Sequence, residues 1–276
     1  MSPGMTVFYY FVAGAFGLIV GSFFNVLIHR LPRKESIVLP PSHCPRCGRP
    51  VRPLENIPLL SYLFLRGRCS GCKEKISVRY PLVELSTACA ALILCWRIVL
   101  PAAGAPLSVW HLITLVIQIS VLLMLIPITV IDLIHFVIPD SMTIPGLIIG
   151  ILVSFLPGDV SPLECVLGIA AGGGSLFVIG TLGEWILRKG EAMGGGDVKL
   201  MAFCGGVFGW KVALTTIVLA SLIGAIVGII LIVFKVLKTD HKIPFGPFLS
   251  CGLWISVLLG DKLLLLYQGL VDRLIG

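Results

Sequence analysis

This sequence predicts an all-α polytopic membrane protein of about eight transmembrane crossings with one small polar loop domain, and three observations predict it. Of 276 residues, 57% are hydrophobic and only 13% charged, about half the charged share usual in soluble domains. Mean hydropathy is +1.03, and apolar runs recur that are longer than a core helix needs. Between His29 and Arg79, eleven Lys/Arg face three acids, so this segment's excess of +8 is larger than the net +7 of the whole chain. Disordered, fibrous and secreted disulfide-framework classes are excluded by that pattern.

The elements follow in order. Residues 6–28 are 23 uncharged positions ending in His29-Arg30 without a small-residue cleavage pattern, so residues 1–28 read as a retained span rather than a signal peptide. Residues 29–81 form the polar domain, placed on the cytoplasmic side by their positive excess. Residues 82–106 hold the second span, at 82–100, and an outer loop. A membrane core is expected over 107–260: 107–131 runs inward, 144–156 outward, and 162–187 inward, delivering Arg188 and Lys189 to the cytosol. Residues 200–234 carry one charge, Lys211, and end at a basic loop, 235–242. Gly205, Gly206 and Gly209 weaken a single long helix there, so this stretch is expected to go out and back. A last span runs outward from Ile243, leaving 261–276 as an outer amphipathic tail. Glycines such as Gly168, Gly172 and Gly173 fit close helix packing. No repeat of fixed period supports an inverted-repeat transporter.

Within the polar domain, Cys44-Pro-Arg-Cys47 and Cys69-Ser-Gly-Cys72 are two C-x2-C knuckles 21 residues apart, the spacing that holds zinc tetrahedrally with four thiolates. Cytosolic thiols stay reduced, and a closed four-Cys site leaves no coordination position open for chemistry, so the expected role is structural. Cys89, Cys95, Cys165, Cys204 and Cys251 lie scattered in apolar spans and read as small buried hydrophobes.

No residue between Arg97 and Asp132 carries a formal charge, and an ionisable group at such depth needs a reason. Asp197 follows Met193-Gly194-Gly195-Gly196 into another apolar segment, and the crossing order places it at the same membrane end as Asp132. Two adjacent carboxyls share a proton and titrate as a pair, one form a base for water and the other an acid toward a carbonyl oxygen, which is aspartyl-protease chemistry. Gly194 and Gly196 would let an extended backbone lie beside Asp197, and Lys199 is a candidate for holding the loop or tuning the pair. Phosphate-loop, zinc-protease and serine-hydrolase signatures are all missing.

On these residues the sequence resembles the type IV prepilin peptidase family, membrane aspartyl proteases marked by G-x-G-D. Gly21-Ser22-Phe23-Phe24-Asn25-Val26-Leu27-Ile28-His29-Arg30-Leu31-Pro32 is similar to the family's N-terminal signature, with Phe24 where an aliphatic residue is more usual. Arg79-Tyr80-Pro81-Leu82-Val83-Glu84 resembles its entry to the second span. Ile131-Asp132, five residues, Ile138-Pro139-Asp140 and then Glu191-Ala192-Met193-Gly194-Gly195-Gly196-Asp197-Val198-Lys199-Leu200 resemble its two aspartate motifs.

The resemblance implies cleavage of prepilins or pseudopilins between Gly and Phe, followed by methylation of the new amino terminus from S-adenosylmethionine. Asp132 and Asp197 would be the catalytic pair. Glu84 and Arg30 are candidates for gripping the methyl donor or the new amine, and Asp140 and Glu191 for holding the active loops. The implied location is the bacterial inner membrane, with the zinc domain and active site toward the cytoplasm. Besides the substrate, membrane lipids are an expected partner, met by Arg46, Arg49 and Arg52 of the basic loop; nucleic acid is not. A peptidase without methyl transfer, and a proton-coupled transporter relaying protons through the two aspartates, are the alternatives.

Overall fold

The computed structural model describes residues 2–103, 108–187, 193–235 and 243–275. Arg188, Lys189, Glu191 and the basic stretch 236–242 lie outside the described residues. Among those described, the regular elements are helices, with two isolated β-bridges in the polar segment. In chain order they are α1 (Pro3–Arg30), α2 (Leu60–Phe64), α3 (Arg79–Ala102), α4 (Val109–His135), α5 (Asp140–Val153), α6 (Pro162–Ile186), α7 (Gly195–Val233) and α8 (Gly246–Ile275). Five of these, α1, α3, α4, α6 and α7, are long and apolar enough to cross a membrane; α5 and Gly246–Gly260 are shorter apolar helices.

The chain divides into two compact units, Met1–Ser108 with Leu123–Ile131, and Val109–Leu122 with Asp132–Gly276. In the first, α1 starts where the Ser2 hydroxyl accepts from the Met5 amide and Pro3 fills the first helical turn, which needs no donor there. Pro32 follows its end and cannot continue it. α1 packs antiparallel on α3 through small residues: a methyl on Gly17 would stand 2.6 Å from the Ala88 Cα, and one on Gly21 2.7 Å from the Glu84 Cα. Asn25, buried in this seam, donates to the Tyr80 carbonyl at 3.1 Å.

The second unit is organised by α7. At 39 residues an unbroken helix would be about 58 Å long, roughly twice a bilayer core. It breaks at Gly209 (φ 82°, ψ 171°), a conformation only glycine adopts cheaply. The leg before the break lies against α5, with Gly146 beneath the Phe203 ring and Gly150 against Val207, and against α6, where Gly168 and Gly205 meet backbone to backbone. The leg after it pairs antiparallel with α8: Ser256 donates to Thr215 at 2.8 Å, Gly252 lies under the Thr216 carbonyl, and Gly224 faces Phe248. Residue 224 thus lies at the end of the unit where α8 begins. α6 contains a π-helical turn, Ala170–Gly174, whose glycines allow the widened turn to approach Met201 and Ala202 of α7. Residues 261–275, expected as a separate tail, continue α8 without a break.

Candidate active site and metal centre

Asp132 sits in the last turn of α4, five residues beyond Pro127, and is 5% exposed; Asp197, in the first turn of α7, is 8% exposed. α4 stops where Phe136 takes a positive φ, and α5 restarts after Pro139, so the chain turns back at Ile138. Ile138 is wedged between two bare backbones: a Cβ on Gly196 would lie 2.9 Å from its Cβ, and one on Gly246 3.3 Å from its Cδ1. This brings the two aspartate-bearing ends together, within electrostatic reach of one another. The Gly246 amide donates to Asp132 Oδ2 at 3.0 Å. Asp197 Oδ1 is buried with no hydrogen-bond partner among the described residues.

Both carboxylates pack closely against glycine backbone. A methyl on Gly194 would stand 3.0 Å from Asp197 Oδ2, and one on Gly246 2.5 Å from Asp132 Oδ2. Lys199, one helical position past Val198, forms a two-oxygen ion pair with Asp140 at 2.7 and 2.9 Å, joining the first turns of α7 and α5. Gly246 escaped the sequence reading. Its signal was Ile243-Pro244-Phe245-Gly246-Pro247, a turn ahead of an apolar run, but no spacing rule links that turn to a carboxylate 114 positions earlier.

The four cysteines converge in the first unit, with all Sγ atoms within 4.8 Å of one another. Thiolates about 2.3 Å from a tetrahedral zinc stand about 3.8 Å apart; Cys44 and Cys72 Sγ are 3.8 Å apart. The donor set and its spacing fit zinc. Each knuckle repeats the other with a 25-residue shift. Cys44 N–H donates to the Arg49 carbonyl and Cys69 N–H to the Glu74 carbonyl, Gly48 and Lys73 both take positive φ, and the bridges His43–Pro50 and Arg68–Lys75 close the two turns. Amides of Cys72 and Gly71 lower the Cys69 thiol to about 6, while desolvation and the neighbouring cysteines push Cys72 up to about 12. Amides of Cys47 and Arg46 lower Cys44. Such a cluster favours a bound cation that would ionise all four.

Arg46 pairs with Glu74 across the knuckles, and Arg49 reaches both Ser70 and, at 3.0 Å, Glu55. Two of the three arginines expected at lipid headgroups are therefore engaged within the domain. Arg30, buried, donates to the carbonyls of Ser36 (2.8 Å) and Pro40 (2.5 Å); buried Glu84 accepts from the Leu59 amide at 2.8 Å. Both residues hold segments of the polar loop against the ends of α1 and α3.

Residues 15–98 match the bacterial peptidase A24 N-terminal domain, and residues 119–229 the type IV leader peptidase family. Proteins named prepilin leader peptidase/N-methyltransferase are similar over most of the chain. That of Pseudomonas putida is 37% identical, covering 92% of both chains. That of Aeromonas salmonicida is 37% identical over 95% of both, and that of Myxococcus xanthus 42% identical over 78% of this chain and 61% of its own. No solved structure matches.

Proposed function

This chain belongs to the type IV leader peptidase family, and on that premise we propose that Asp132 and Asp197 are the carboxylate pair with which it cleaves prepilin leaders. It is a membrane enzyme that removes the leader and N-methylates the terminus so exposed, the two activities named for its relatives. The observation carrying the assignment is the convergence of two buried carboxyls around Ile138, packed against the bare backbones of Gly194, Gly196 and Gly246.

One carboxylate accepts a proton from water as its oxygen attacks the scissile carbonyl carbon. The other, protonated, donates to the carbonyl oxygen. The tetrahedral intermediate collapses as the leaving nitrogen takes a proton, and the pair returns to its shared-proton state. The Gly246 amide fixes Asp132, and Asp197 Oδ1, without a hydrogen-bond partner among the described residues, is the atom to hold water. Gly195, over which nothing lies within 4 Å, leaves a bare face for an extended peptide, and Lys199 with Asp140 ties the start of α7 to that of α5.

S-adenosylmethionine supplies the methyl group. Glu84 and Arg30 would serve that step by holding the polar loop, through Leu59 and through Ser36 and Pro40. Zinc, bound by Cys44, Cys47, Cys69 and Cys72, would unite the two knuckles. We place the enzyme in the bacterial inner membrane with eight crossings, counting the two legs of α7 separately, and with the aspartates and the zinc domain facing the cytoplasm. The charge distribution and the break at Gly209 support this reading. The test is purified enzyme with a peptide bearing a basic leader, Gly-Phe and an apolar tail: wild type cuts between Gly and Phe, while Asp132→Asn and Asp197→Asn keep zinc and helicity but leave the peptide intact. Cleavage by either variant at a rate near that of the wild type would refute the pair.

A further inference from the structure

The polar segment carries an apolar face that neither the zinc centre nor the aspartate site uses. Leu60, Leu63 and Phe64 occupy positions i, i+3 and i+4 of α2, one side of the helix. They are 52%, 69% and 83% exposed, and Leu54, in the turn before, is 80% exposed. The opposite side of α2 is engaged: the Tyr62 ring lies against Gly67, and the Gly67 carbonyl accepts from Ile76 of the second knuckle at 2.8 Å. A small polar domain in water would turn such leucines inward.

Its position explains the exposure. The Leu59 amide, directly before α2, donates to the Glu84 carboxylate, and Glu84 lies in the second turn of the membrane helix α3. α2 is therefore pinned at the end of a membrane span. Its charge agrees: exposed Arg66 and Arg68 follow immediately, in a segment with eleven basic and three acidic residues. We propose that α2 is a membrane-docking element, inserting Leu60, Leu63 and Phe64 at the boundary of headgroups and acyl chains of an anionic leaflet while Arg66 and Arg68 meet lipid phosphates. This goes beyond the peptidase reading and needs neither aspartate. It moves the lipid contact from Arg46 and Arg49, which are ion-paired with Glu74 and Glu55, to the far side of α2, and it anchors the second cysteine knuckle against the bilayer.

The test uses the full chain in nanodiscs of phosphatidylcholine alone or mixed with phosphatidylglycerol, with hydrogen exchange read over residues 60–66. Exchange is expected to slow about tenfold or more in the anionic discs, because each basic residue near such a surface is worth about a fivefold shift. Arg66→Gln with Arg68→Gln should return the anionic discs to the phosphatidylcholine rate, and Leu63→Asp with Phe64→Asp should remove protection in both, zinc content and prepilin cleavage being kept. A photoreactive phenylalanine analogue in place of Phe64 should give lipid adducts. Equal exchange in the two lipid compositions overturns the proposal. So does protection that survives the aspartates, or protection and crosslinks that arise only on adding a prepilin peptide, which would assign the face to protein.

Discussion

The cysteine cluster and the aspartate pair are both polar centres in an apolar chain, yet they are assembled in different ways. Each cysteine knuckle closes on itself within about ten residues, by backbone hydrogen bonds such as Cys44 to Arg49 and Cys69 to Glu74, and only the joining of two such turns is non-local. The aspartates lie on separate helices, α4 and α7, and a third helix, α8, supplies the Gly246 amide to one of them. Nothing local builds this centre. It depends on glycine contacts along α5, α6, α7 and α8, where an added methyl would strike backbone or ring atoms. A turn-built site tolerates change in distant helices, whereas a packing-built site inherits every error in them.

The largest effect should come from the carboxylates themselves. Asp132→Asn or Asp197→Asn is expected to lower kcat/KM about 10³–10⁴-fold with zinc retained, and the wild-type profile should be bell-shaped, losing its base on the acid side and its acid on the alkaline side. Stopped-time cleavage assays across pH check both. Next, Cys44→Ser should abolish zinc binding, measured by elemental analysis, while leaving the helix content of the second unit intact. Its mirror is Gly168→Val, whose new side chain enters the Gly205 backbone; a cost of about 3 kcal/mol is expected, with cleavage lost and zinc kept. If Gly168→Val also released zinc, the contrast between the two centres would fail.

Smaller effects sharpen the comparison. Gly246→Ala puts a methyl 2.5 Å from Asp132 Oδ2, and displacing that carboxylate should reduce kcat about 10–100-fold with little change in KM. Lys199→Gln removes a half-exposed ion pair worth about 1 kcal/mol or less, so at most about a fivefold loss of activity is expected. The exchanged pair Asp140→Lys with Lys199→Asp should restore it. No recovery in the exchanged pair would show that Lys199 acts on something other than Asp140.

The ease of reading differed between the two centres for the same reason. C-x2-C spacing is a local pattern, and the thiolate cluster followed from it. The depth of Asp132 and the glycines before Asp197 marked both carboxylates, because charge in an apolar run has few explanations. Their meeting was inferred only from the crossing count. Gly246 was invisible, since a backbone amide leaves no mark in a sequence and its partner is far away in the chain. Arg30 and Glu84 were legible as unusual charges at helix ends, but their bonds to Ser36, Pro40 and Leu59 depend on how the loop folds back. The basic loop was legible as a whole, yet which arginines are paired was not: Arg49 turns in to Glu55 and Arg46 pairs with Glu74 at the surface, and the exposed apolar face of α2 appears only once Tyr62 is seen packed on Gly67.

Composition and charge order alone marked this chain as a membrane protein, singled out its one polar segment, and drew attention to the few ionisable groups in apolar runs, because burying backbone and charge in hydrocarbon permits so few arrangements. Tertiary structure decided what those groups touch. Helix packing through glycine set the wedge at Ile138, the break of α7 at Gly209, and the amide on Asp132, since a contact between distant residues depends on the shapes of every surface that packs between them.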